Sequence, residues 1–241
     1  MVIQQQNTPH LKLKERIFEV DLLRGSAIVL MVIFHFCYNL AVFDWWDINT
    51  NTQLEWRIFR RIIVSGFLLA VGMSSYLVYS QQIRWLKLTK STLKLIVVAW
   101  LITVGSVFMY PNAWVYFGII HFIAIALPIA ALFSRFPNTA LIIGITCLIT
   151  YQLGWISMRP LWEWSVHHLH IPTKTIDLVS FVPWIASVLI GIYLMHKSLF
   201  NLKIKNNKLT NSLARLGQHS LAIYILHQPI MYGIMFAIAK I

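Results

Sequence analysis

Hydrophobic positions in this chain run in long blocks separated by short polar breaks. A helix needs about 20 mostly apolar residues to cross roughly 30 Å of bilayer hydrocarbon. Its backbone groups must all be satisfied within the segment, because no water is present there to bond them. Blocks of that kind lie at residues 22–43, 58–80, 91–109, 116–134, 139–156, 178–196 and 213–238. They predict an all-α, polytopic membrane bundle of about seven transmembrane helices. The breaks are Asp/Asn/Trp-rich at 44–57 and basic at 81–90, with turns at Tyr110-Pro111-Asn112 and Arg135-Phe136-Pro137-Asn138. A mixed loop follows at 157–177 and a Lys/Asn-rich one at 197–212. With no internal repeat or long linker, residues 1–15 read as a cytoplasmic lead-in and 16–241 as one transmembrane domain. The lead-in has no apolar core or small-residue cleavage site, so it does not read as a cleavable signal peptide.

Composition supports the same class: 58% of residues are hydrophobic, 12% are charged, and the mean hydropathy is +0.68. A water-soluble globule is excluded. The formal charge of +12 in a soluble chain would point to nucleic acid, but here it follows topology. With the N-terminus in the cytoplasm, fourteen of the 20 Lys and Arg lie inside with three acids, and six lie outside with five acids. The net is +11 inside and +1 outside, as the positive-inside rule requires. Nucleic acid therefore drops out, the lipid bilayer is the surrounding partner, and the cytoplasmic (inner) membrane is the expected location. An odd number of spans puts the C-terminus outside. Trp45, Trp46, Trp56, Trp114, Trp155, Trp162, Trp164 and Trp184 fall at outer boundaries, as an interfacial belt or an aromatic vestibule. Cys37 and Cys147 lie in apolar runs and read as packing residues. The His167, His168 and His170 cluster lacks the spacing of a zinc site, and no metal is expected.

Ionisable groups inside a span cost about 2.5 to 3.5 kcal/mol each on insertion scales, which makes them the place to look for function. The first span holds Asp21, Arg24, His35 and Asn39. Arg24 and His35 are close to three helical turns apart, on one face and roughly 16 Å from each other. Asp21 and Arg24 are spaced to neutralise one another; a snorkelling interfacial pair is the plain alternative. Counting the helical rise puts His35, His121 and His227 at a similar height in three different spans, which predicts a shared polar cavity. The plain reading of any one of them is a helix-to-helix hydrogen bond. Arg60 and Arg61 enter the second span from outside, where lipid phosphates would also hold them. Tyr116 and Trp184 stand near outer span ends, and Pro128, Pro183 and Pro229 interrupt helical ladders. Arg215, His219 and the lysines at 197, 203, 205 and 208 gather at the inner face. They would orient the bundle or hold a phosphorylated ligand.

Five segments carry a resemblance: FEVDLLRGSAIVLMVIFHFCYNL at 18–40, the Arg60-Arg61 pair, YFGIIHFIAIAL at 116–127, FVPWIASVLIGIYL at 181–194 and LGQHSLAIYILHQPIM at 216–231. In order and spacing they resemble the small prokaryotic branch of the heparan-alpha-glucosaminide N-acetyltransferase catalytic-domain family. The first of them is also similar to the opening motif of integral-membrane acyltransferases that decorate bacterial surface glycans. The resemblance covers the chain from about residue 16 and implies transfer of an acyl group, usually acetyl, from cytoplasmic acyl-CoA to an acceptor on the other side. It implies His35 as catalytic base, with Arg24 in the same motif. The eukaryotic lysosomal members use a different histidine in the luminal segment after the first span; the 44–57 loop here has none, which favours His35.

The residues fit this chemistry. A pantetheine arm is about as long as the Arg24 to His35 separation of roughly 16 Å. Asp21, Arg24, Arg215, His219 and Lys203 form the expected mouth for acetyl-CoA, the donor substrate. Neutral His35, oriented by Asn39 or His121, would take the acceptor proton. His227, Tyr116, Gln228, Arg60 or Arg61 could bond the developing oxyanion, with Trp184 in the acceptor region. Direct transfer and an acyl-histidine intermediate both stay open. A glycan or glycolipid is the expected acceptor class, from the aromatic outer side. The rival function is a proton-coupled transporter or exporter with a histidine relay, and a membrane scaffold is a third. Gly66 and Ala70 permit close helix contact without predicting an oligomer.

Overall fold

A computed structural model describes residues 17–199 and 204–240, which form helices and connecting loops. The helices are α1 (Phe18–Val42), α2 (Leu54–Tyr79), α3 (Trp85–Met109), α4 (Ile119–Phe133), α5 (Pro137–Gln152), α6 (Arg159–Leu169), α7 (Phe181–His196), α8 (Lys208–Gln218) and α9 (Ser220–Ala239). The fold class expected from the apolar blocks is therefore all-helical, and every predicted span contains a helix. Four helices, α1, α2, α3 and α9, are long and apolar enough to cross a membrane. The other three apolar helices are shorter: α4 has 15 residues, α5 and α7 have 16. At 1.5 Å per residue they reach about 22 to 24 Å, less than the hydrocarbon thickness. Two boundaries differ from the sequence reading in kind. The block 213–238 is two helices, because the chain leaves helical geometry at His219 (φ −106°, ψ 14°) between amphipathic α8 and apolar α9. The 157–177 loop contains α6, an 11-residue helix with no buried residue.

Close backbone approach organises the bundle. Gly25 of α1 faces the Leu213 carbonyl of α8, and Gly217 of α8 faces the Asp21 carbonyl of α1; neither site has room for a Cβ. Gly72 of α2 and Gly191 of α7 meet the carbonyls of Val188 and Leu69 in the same way. Without a hydrophobic force between helices in lipid, van der Waals contact between such small-residue surfaces holds the pairs. Gly66, read from sequence as permitting close helix contact, packs on Ala27 and Leu23 of α1. The core lies where α2, α4 and α7 meet, with Leu68, Phe122, Val188, Leu189 and Ile192 fully buried. Apolar side chains such as Leu93, Trp100 and Phe108 of α3 stay exposed, on the faces a membrane protein turns to lipid.

The α1–α2 pair is antiparallel, with Arg24 bonded to Ser74 near the start of α1 and Phe34 against Phe59 further along. Below, the end of the bundle at which α1 begins is the near end, and the end at Val42 the far end.

Candidate active site

At the near end a polar network closes around Asp21. Arg24 donates to the Asp21 carboxylate (3.2 Å) and to Ser74 Oγ (2.6 Å), and Ser74 passes its own proton to the Ala70 carbonyl (2.7 Å). Gln218 donates to the second Asp21 oxygen (3.2 Å). Asp21 is buried, so pairing with Arg24 offsets the cost of the two charges, and the network ties α1 to α2 and α8. Arg215 and His219 are exposed on and just after α8, beside this network. Lys203 lies outside the described residues.

His35 and His227 meet between α1 and α9, ring centroids 4.8 Å apart and nearly perpendicular. His35 Nδ1 bonds the Met31 carbonyl (2.9 Å), and His227 Nδ1 bonds the Tyr224 carbonyl (2.7 Å). A carbonyl accepts only, so each Nδ1 carries the proton and each Nε2 keeps a lone pair when the ring is neutral. His227 Nε2 is buried with no hydrogen-bond partner among the described residues. One turn along, Asn39 and Gln228 join their amides in both directions (2.9 and 3.4 Å). Asn39 is fully buried, so this paired contact fixes α9 against α1 beside the rings.

His121 is placed otherwise. Its Nδ1 accepts the Gly118 N–H (3.3 Å) and its Nε2 bonds Thr103 Oγ1 (3.0 Å), whose own proton goes to the Val115 carbonyl (2.7 Å). One ring nitrogen closes the first turn of α4 and the other ties that turn to α3. Among the described residues no hydrogen bond or ring contact joins His121 to the other two histidines, so the structure brings together two of the three expected at one height. Similar height along parallel axes does not make side chains face one another, and only the packing of α9 on α1 supplies that.

The α4 and α7 helices are short because the segments before them enter the bundle as non-helical chain. Ile176 N–H bonds the Ala113 carbonyl (3.1 Å), Val179 N–H the Phe117 carbonyl (3.1 Å), and Thr175 Oγ1 the Trp114 carbonyl (2.9 Å). These mutual bonds satisfy backbone that would otherwise be orphaned at depth. They bring Asp177 to the start of α4, where its carboxylate accepts the Ile119 N–H (3.2 Å). Tyr224 of α9 and Arg60 of α2 face the same carboxylate. The Ile119 N–H, the Arg60 guanidinium and the Tyr224 hydroxyl are thus gathered on one carboxylate from three helices. Tyr224 packs with Ile28, Met31 and Phe34, which lie 10 to 16 positions into α1. Asp177 therefore sits near mid-height. The sequence reading assigns it to the outer loop; its one signal was a carboxylate directly abutting an apolar block, and the return of that loop into the bundle is not encoded locally.

Of the remaining candidates, Arg60 is exposed, and its guanidinium also reaches Asn51 (3.5 Å). Arg61 borders an open, mostly apolar groove of about 570 Å³ between α1 and α2, away from the histidine pair. The buried Tyr116 hydroxyl lies beside Trp162 of α6, and Trp184 packs half-buried on the core. Beyond the Asn39–Gln228 contact, towards the far end, Tyr232 packs on Phe43 (5.2 Å between centroids) and Tyr110 (6.2 Å).

The family model for heparan-alpha-glucosaminide N-acetyltransferase, catalytic, matches residues 16–229 of the chain. That stretch contains every candidate residue described above from Asp21 to Gln228. No curated protein and no solved structure matches.

Proposed function

The chain belongs to the heparan-alpha-glucosaminide N-acetyltransferase catalytic-domain family, and from that premise we propose that it transfers an acetyl group from cytoplasmic acetyl-CoA to a hydroxyl or amine acceptor on the outer side of the membrane. The observation that carries this reading is the His35–His227 pair: two rings in contact, each with Nδ1–H committed to a backbone carbonyl and Nε2 left as base.

His35 Nε2 removes the proton of the acceptor O–H or N–H as that atom attacks the thioester carbonyl. The new C–O or C–N bond forms, the C–S bond breaks, and the departing CoA sulfur receives the proton held on histidine. His227 stands beside it with its own Nδ1–H held by the Tyr224 carbonyl, so its Nε2 lone pair shares the proton in transit and does not donate to the oxyanion. The bonds of His121 support a structural role at the start of α4. The Asn39–Gln228 pair holds the two catalytic helices together.

The donor comes from the near end, which the charge distribution assigns to the cytoplasm. Arg24 is roughly 16 Å from His35 along α1, a pantetheine arm's reach. Arg215 and His219, flanking the Gln218 that bonds Asp21, stand at the same end for the phosphates. Seven crossings with the N-terminus inside, in a cell's cytoplasmic membrane, accommodate this arrangement if α4, α5 and α7 complete their crossings with the segments that flank them. The aromatic group of Phe43, Tyr110 and Tyr232 beyond the histidines supports a sugar ring as acceptor.

Purified protein in lipid nanodiscs, given radiolabelled acetyl-CoA and a panel of amino sugars and glycans, tests the reading. Transfer is expected with the wild type. His35→Ala and His227→Ala should each lower kcat by about 100-fold or more, the size of lost general acid–base catalysis. A His35→Ala variant with wild-type turnover overturns it.

A further inference from the structure

The Asp177 carboxylate is a polar group near mid-height for which the mechanism above has no use. Its Oδ2 accepts the Ile119 N–H, and Tyr224 and Arg60 reach it from two other helices. Capping α4 does not need a charge, because an amide or hydroxyl oxygen would accept that N–H equally well. What a carboxylate adds is a strong acceptor for a phenol O–H and an attraction for a guanidinium.

Tyr224 connects this group to the histidines. Its side chain faces Asp177, its carbonyl takes the His227 Nδ1 proton (2.7 Å), and its ring lies 5.7 Å from the His227 ring. Rotation of the Tyr224 side chain would open the space against which His227 rests. We propose that Asp177 and Tyr224 are a positioning pair for His227: the carboxylate holds the Tyr224 hydroxyl, and Tyr224, through its ring and carbonyl, holds the His227 imidazole in the Nδ1–H tautomer with its Nε2 lone pair available for the proton that His35 takes. Arg60 sets the charge of the pair by facing the same carboxylate. This rests on the acetyltransferase reading for its kinetic consequence, and not for its structural one.

Two measurements on the full chain in nanodiscs test it. Steady-state transfer by Asp177→Asn, Tyr224→Phe and the double variant should show kcat lowered about 10- to 100-fold in each, the cost of a small misplacement of a catalytic group. KM for acetyl-CoA should stay within about twofold, and the double variant should be no worse than the poorer single, because both act on one link. Nitrogen-15 NMR of labelled histidine should show His227 as the Nδ1–H tautomer in the wild type and as a tautomer mixture in Tyr224→Phe. That variant keeps the ring, so it remains informative should Asp177→Asn fold poorly. Wild-type kcat in both single variants, losses that multiply in the double, or an unchanged His227 tautomer overturns the pairing. If the wild type itself transfers nothing, the functional reading fails while the NMR result still decides the positioning.

Discussion

A neutral imidazole has two tautomers, and a carbonyl of its own helix favours the one that places the proton on the nitrogen facing it. His35 and His227 are both set this way, by Met31 and Tyr224, and the choice leaves the outward nitrogen of each basic. His121 uses the opposite arrangement, with Nδ1 accepting from the Gly118 N–H at the start of α4 and Nε2 donating to Thr103 of α3, so both nitrogens are spent on structure. The difference yields a contrast at the residue scale. His121→Asn should lower thermal stability in detergent while sparing turnover far more than either member of the pair. Asn39 offers a second case: Asn39→Ala leaves the Gln228 amide without its partner and should cost about 1 to 3 kcal/mol of stability, read from thermal unfolding.

At the scale of elements, helices follow from apolarity, and their pairing follows from glycine. Gly25, Gly217, Gly72 and Gly191 sit where a partner carbonyl occupies the place of a Cβ. Replacing any of them by Ala should cost about 1 to 3 kcal/mol by overpacking, measured as a lowered melting temperature. Gly105 and Gly233 have open space around that position, and Ala there should be neutral or slightly stabilising. All seven apolar blocks hold helices, legible because hydrocarbon solvation acts on each residue independently. The short reach of α4 and α7 was not legible. It depends on bonds between 113–117 and 175–179, residues some 60 positions apart. The same distance hid Asp177, an outer-loop acid in sequence and a mid-height carboxylate in three dimensions. His219 broke the last block because α8 must turn its Gly217 face to α1 while α9 rises beside His35.

For the whole molecule, the proposed seven-span orientation divides the +12 charge between two surfaces, and that orientation can be tested directly. In a background with Cys37 and Cys147 replaced by Ala, Lys87→Cys should resist a membrane-impermeant thiol reagent added to intact cells. Trp164→Cys on α6 should react with it, and the reverse pattern would invert the molecule. Membrane residence, helical class and the polar residues of the first span were determined by the sequence alone, since each depends on local composition or on spacing within one helix. Which polar residues meet was decided only by the tertiary structure. His35 has no sequence relation to His227, nor Asn39 to Gln228, nor Asp177 to Tyr224; each pair exists because the packing of α9 on α1, or the return of the 175–179 segment into the bundle, brings side chains of different elements into one site.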